Sequence, residues 1–305
     1  DTRVAGEDVR DALVTSALDY RRDRRYHMAM AFGAAAPFLK HGFVPAVPDY
    51  AVEVDTVDAS KEALPGLRIR EAKPGDISAV NRLHNQSDQG VACSFIRTAA
   101  HMTNKWERLR GRMKVLVDPE GRIVAYAVID YYADALVVEE VGAGECPEAV
   151  FSACAHWAAE AFKPRIRFQL PDDHPFACFL LQRGSQYNVR IAPPEGGLVR
   201  LIDVGEALES MLPEWERLLT GANGGPYRTE CTLMLAADAK DAPGPGAYFR
   251  IRANRGAIDV AGLAGRNKVR LTVGDLAHLV TGYRHPADVL AERRRLMTEE
   301  ARGLI

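Results

Sequence analysis

Two breaks constrain this chain more than any motif in it. Leu64-Pro65-Gly66 and Pro193-Pro194-Glu195-Gly196-Gly197 set proline, which fixes φ and lacks a donor, beside glycine, which turns freely. Neither a helix nor a strand continues through such a run. The breaks part 305 residues into three segments, and a chain of that length exceeds what one core usually organises. At 47% hydrophobic and 26% charged, the composition is that of an ordinary folded protein.

The first segment, 1–60, opens with Val9, Ala12, Leu13, Ala17 and Tyr20 at helical spacing, which predicts an amphipathic helix capped by Asp8. A buried strand over Tyr26–Phe32, a short helix over Ala34–Lys40, the turn His41-Gly42-Phe43 and a strand around Tyr50–Val54 follow. That order reads as the second half of a domain, and the start, without an initiating Met, reads as the interior of a larger gene product. The second segment, 66–195, begins with a strand over Leu67–Glu71 and a helix entered through Pro74-Gly75-Asp76. A hairpin of Met113–Val117 with Arg122–Ile129, a strand over Ala135–Val141, a helix over Pro147–Phe162 and a strand over Ile166–Leu170 come after it. The third segment, 196–305, holds a strand over Tyr227–Ala236, a hairpin of Tyr248–Ala253 with Ala257–Val260, a strand over Lys268–Val273 and a helix capped at Gly274-Asp275. Helices and strands are mixed in every segment, so the fold class is α+β.

Several functions are disfavoured. A formal charge of -2 exerts no long-range pull on nucleic acid or an anionic membrane. No apolar run is long enough for a membrane span. The five cysteines, Cys93, Cys146, Cys154, Cys178 and Cys231, are scattered without zinc-ligand spacing, so no metal is expected and a reduced, cytoplasmic compartment is.

Three places together carry a resemblance. Arg3-Val4-Ala5-Gly6-Glu7-Asp8 has the spacing of the Arg/Gln-x-x-Gly-x-Gly/Ala loop of GNAT acetyltransferases. Leu67-Arg68-Ile69-Arg70-Glu71-Ala72-Lys73-Pro74-Gly75-Asp76-Ile77 looks like the first strand and helix start of another GNAT domain. Arg270-Leu271-Thr272-Val273-Gly274-Asp275-Leu276-Ala277-His278-Leu279 resembles a sterol-carrier-protein-2-like module. The whole is similar to the Eis-type acetyltransferases. The resemblance implies two GNAT-like mixed-sheet domains, the first only partly present, followed by a sterol-carrier-protein-2-like α+β domain. It also implies a homo-oligomer using acetyl-CoA, with a small-molecule amine or protein lysine as acceptor.

In that comparison Arg3, Val4, Gly6 and Arg10 would bind the acetyl-CoA pyrophosphate, since amides at a helix start and nearby cations suit an anion. Asp8 stands where the family has Gly or Ala, with Glu7 beside it. The equivalent stretch of the second domain, Val141-Gly142-Ala143-Gly144-Glu145-Cys146-Pro147-Glu148, has no Arg or Gln and reads as non-binding. The resemblance also implies a tyrosine acid and a chain-terminal carboxylate base. Phe38 falls where the tyrosine would be, which leaves His41 and the Ile305 carboxylate as catalytic candidates. Two other readings stand beside the enzyme: a carrier of apolar ligand through Leu276, Leu279 and Val280, and a relative without catalysis.

Overall fold

The computed structural model describes residues 2–56, 66–91, 94–191, 196–221, 228–235, 248–254, 257–261 and 268–293. In chain order, helix α1 (Thr2–Asp23) leads to β1 (Met28–Phe32), α2 (Ala36–Leu39), β2 (Val44–Val47) and β3 (Asp49–Asp55). Next come β4 (Arg68–Glu71), α3 (Ile77–Ser87), α4 (Ala99–Leu109), β5 (Met113–Val117), β6 (Ile123–Tyr131) and β7 (Ala135–Gly142). Helix α5 (Pro147–Glu160), β8 (Arg165–Phe168), α6 (Pro175–Leu181) and β9 (Gln186–Arg190) complete the middle of the chain. The last part is β10 (Gly197–Leu201), α7 (Val204–Ser210), α8 (Leu212–Gly221), β11 (Arg228–Leu235), β12 (Tyr248–Asn254), β13 (Ala257–Ala261), β14 (Lys268–Leu271), α9 (Val273–Val280) and α10 (Pro286–Arg293).

These elements form two compact units: residues 1–48 with 191–305, and residues 49–190. The sequence breaks suggest boundaries at 60–66 and 195–196 instead. The difference comes from two strands. β3 follows the first segment in sequence but pairs antiparallel with β8 and β9. β10 belongs to the third segment but lies antiparallel between β1 and β2. Strand pairing decides membership because a strand left alone would hold unsatisfied amides and carbonyls.

The unit of residues 49–190 is a seven-stranded sheet in the order β4-β5-β6-β7-β8-β3-β9. Its one described parallel pair is β7 with β8, in register from Ala135↔Arg165 to Val138↔Phe168. Beyond it, the Gln169 amide still donates to the Val138 carbonyl at 2.9 Å, while β7 runs on to Gly142 paired with β6 alone, in register to Tyr126↔Gly142. Helix α5 covers one face: Ala149, Val150, Phe151, Ala153, Cys154, Trp157 and Ala158 are all buried. On the other, α3 and α4 bury Val80, Leu83, Met102, Trp106 and Leu109 against Val115, Tyr126 and Val128. Trp106 is part of this core.

The other unit has a three-stranded sheet, β1-β10-β2, and a four-stranded one, β13-β12-β11-β14. Leu18 of α1 packs with Ala29, Phe43 and Leu198, and Val14 and Phe38 lie against them. The apolar stripe expected to face inward does not: Val9, Leu13 and Tyr20 are exposed, Leu13 by 65%. Helix α9 is capped by Thr272, one residue pair earlier than expected. The Thr272 hydroxyl accepts from the Asp275 amide at 2.9 Å, and Asp275 accepts from the Thr272 amide at 2.8 Å. Leu276, Leu279 and Val280, read as a possible lipid-facing surface, pack with Val199, Leu208, Val269 and Leu271. They serve a core.

Candidate functional site

Helix α1 starts at Thr2, so Arg3, Val4 and Gly6 lie in its opening turns and not in a loop before it. Asp8 lies within the helix and is not its cap. The helix is already formed at Thr2, earlier than the expected start at Val9. Arg10 is exposed one turn further on.

One turn beyond Gly6, Asp11 points toward the His41 turn. That turn is built locally: the His41 amide donates to the Phe38 carbonyl at 2.9 Å and the Gly42 amide to Leu39 at 3.1 Å. Gly42 sits at φ 75°, a left-handed conformation that glycine adopts without penalty. The buried Arg200 of β10 reaches over and donates to the His41 carbonyl. Phe38, the expected stand-in for a tyrosine acid, meets Phe43 edge-on with centroids 5.4 Å apart. It is a packing residue.

The His41 ring is 15% exposed, and its Nε2 lies 3.5 Å from Asp11 Oδ1. The second Asp11 oxygen accepts from Lys40. The Lys40 hydrogen bond is the largest influence on Asp11 and holds its carboxyl below the usual range, with His41 adding to it and desolvation opposing. Neither Asp11 Oδ1 nor His41 Nε2 has a hydrogen-bond partner, an arrangement that asks for explanation in a folded protein. Ile305, the other catalytic candidate, lies outside the described residues. No group of three or more His, Cys, Asp or Glu among the described residues has the arrangement to hold a metal.

No protein-family model matches the chain, and no curated protein matches it in sequence. Solved structures do match it in fold. A GCN5-related N-acetyltransferase from Kribbella flavida superposes with a TM-score of 0.64 at 16% identity, covering 94% of this chain and 68% of its own. One from Anabaena variabilis gives 0.63 at 16% identity, with 95% and 72% covered. Eis1 from Mycobacterium abscessus gives 0.57 at 14% identity, with 94% and 70% covered. The chain has the GCN5-related N-acetyltransferase fold.

The strand-to-helix junction after β7 carries Gly142 and Gly144. Here the glycines of that junction answer to packing. A Cβ on Gly142 would sit 2.4 Å from Tyr126 Cε1, and one on Gly144 2.8 Å from the Val124 carbonyl oxygen. The absence of a side chain at these positions lets the loop close against its own core.

Beneath the same junction is a polar network that the sequence reading missed. Arg97 donates to both oxygens of Glu140 at 2.6 Å, and the Tyr126 hydroxyl donates to Glu140 Oε1 at 2.7 Å. His84 Nδ1 lies 3.5 Å from Asp88 and 3.9 Å from Glu140, while its Nε2 meets the Phe95 carbonyl at 3.0 Å. Asn85 accepts from the Arg97 amide at 2.8 Å and donates to the Arg97 carbonyl at 3.0 Å. Burial works to raise the Glu140 carboxyl, yet the Arg97 and Tyr126 hydrogen bonds prevail and hold it low. Burial, with Glu140 beside it, pushes the Tyr126 phenol up. The signal in the sequence was Glu139-Glu140 interrupting an apolar strand.

Tyr131 and Tyr132, at the end of β6, are exposed.

Proposed function

We propose that this protein is an acetyl-CoA-dependent N-acetyltransferase of the GNAT superfamily, acting on a small-molecule amine or a protein lysine. The observation that carries the reading is the fold shared with GCN5-related N-acetyltransferases over 94–95% of the chain. The helix α1 turn carrying Arg3, Val4 and Gly6, with Arg10 after it, is the place assigned to the acetyl-CoA pyrophosphate. Two arginines of that stretch, Arg3 and Arg10, suit an anion. Acyl transfer to an amine needs a base for the ammonium and a proton for the departing thiolate. His41 and the Ile305 carboxylate are the candidates for those tasks.

The reading extends to the Eis-type organisation: tandem GNAT domains, a sterol-carrier-protein-2-like C-terminal part and a cytoplasmic homo-oligomer. A specific observation supports a second reading, in which the chain is a relative without catalysis. The Gly142–Gly144 loop is closed onto Tyr126 and Val124, and Phe38 has no proton to give.

Titration calorimetry of the full chain with acetyl-CoA decides between them. Binding with a dissociation constant below about 1 mM, together with thiol release on adding a polyamine or an aminoglycoside, is the expected result. No heat of binding at that concentration ends the acetyltransferase reading.

A further inference from the structure

We infer that Asp11 and His41 act together in acyl transfer, His41 as the base toward the acceptor amine and Asp11 as the residue that positions it. The inference rests on the acetyltransferase reading and gives its base an identity. Four observations meet at this pair.

Asp11 Oδ1 and His41 Nε2 face each other at 3.5 Å, and neither has a hydrogen-bond partner. Catalytic hydrogen bonds are often long in a ligand-free protein and tighten when substrate arrives. Lys40 grips the other Asp11 oxygen, so the carboxylate stays ionised and is hindered from rotating away. The backbone of His41 is held on both sides, its amide by Phe38 and its carbonyl by Arg200. Finally, the ring retains 15% exposure.

The chemistry follows from the tautomer. A carboxylate facing Nε2 fixes the neutral ring's proton on that nitrogen, leaving the lone pair on Nδ1. One proton then passes from the acceptor ammonium to His41 and on to solvent. The freed amine attacks the thioester carbonyl and forms the C–N bond, and His41 takes the second N–H proton. The C–S bond breaks, and that proton goes to the departing thiolate. Ammonium and thioester thus yield amide, thiol and one proton in solution. The carboxylate also stabilises the imidazolium formed on the way. His41 stands three residues from Phe38 in one turn, so a proton-transfer group lies beside a phenylalanine that has none to give.

Two readouts separate this inference from the reading beneath it. Two-bond ¹H–¹⁵N spectra of the full chain report the His41 tautomer whether or not acetyl transfer occurs. The expected result is a proton on Nε2, with that preference lost in Asp11→Ala. Steady-state kinetics should show His41→Gln lowering kcat about a hundredfold or more and removing one limb of the pH profile. Asp11→Ala should lower kcat with acetyl-CoA affinity, by calorimetry, unchanged. A wild-type proton on Nδ1, or an Asp11→Ala protein with unaltered tautomer and pH profile, overturns the pair. Absence of acetyl-CoA binding overturns the acetyltransferase reading, and the tautomer still judges the pair.

Discussion

Glu140 shows what a single residue can reveal once its neighbours are known. Its carboxylate takes two hydrogen bonds from Arg97 and one from Tyr126. Removing one member leaves the rest uncompensated, so Arg97→Met should destabilise the protein by about 3 kcal/mol in urea unfolding. The pH dependence has a definite sign. Glu140 is held below its ordinary value when folded, so its contribution is complete above the ordinary glutamate range. It is lost as pH falls through the folded value. The urea midpoint of wild type should therefore drop more between neutral and strongly acidic pH than that of Glu140→Gln; equal drops would remove Glu140 from the argument. Gly142 supplies a steric counterpart. Its missing Cβ lies 2.4 Å from the fully buried Tyr126 ring, so Gly142→Ala should cost about 1–3 kcal/mol by overpacking. The sequence marked both sites only faintly. A glutamate in a strand and a glycine in a turn have many ordinary explanations, and the partner that singles out each, Arg97 or Tyr126, is distant in sequence.

Among the elements, α1 was recognised as a helix, but its inward face was misassigned. Apolar residues occupy more than one side of it, and spacing alone does not say which side meets a sheet. Leu18 is buried and Leu13 is exposed. Leu18→Ala should therefore cost about 2–5 kcal/mol, and Leu13→Ala less than about 0.5 kcal/mol, in thermal or urea unfolding. Reversal of that order would contradict the packing described. Helix α5 was read with its proline start correct and its end two residues long, because Phe162 looks helical by composition. It stands instead at φ 53°, its amide donating to the Ala159 carbonyl at 3.0 Å and the Lys163 amide to Ala158 at 2.8 Å. This is the position where glycine commonly ends a helix. With 91% exposure the phenyl contributes little packing to offset the strain, so Phe162→Gly should stabilise the protein by about 1 kcal/mol. A lower melting temperature in that variant would show that the ring has a contact worth more than the backbone penalty.

At the scale of the whole molecule, most strands and their α+β mixture were legible from alternation and turn residues. Their assignment to units was not. Proline and glycine mark where regular structure stops, whereas the sheet is decided by which edges find partners, and β3 and β10 pair away from their sequence neighbours. The unit of residues 49–190 is continuous and has its own buried core. A polypeptide of residues 49–190 alone should unfold in a single cooperative transition; a featureless melt would mean that it borrows stability from the remainder.

The place of β10 between β1 and β2 sets an order of events during synthesis. β1 and β2 leave the ribosome early, yet the strand that joins them emerges only after the whole 49–190 unit. At about 5–20 residues per second, their edges wait several seconds or more, unpaired and open to intermolecular association. Nascent chains of this protein thus need a holding chaperone from the emergence of β2 until Gly197 appears.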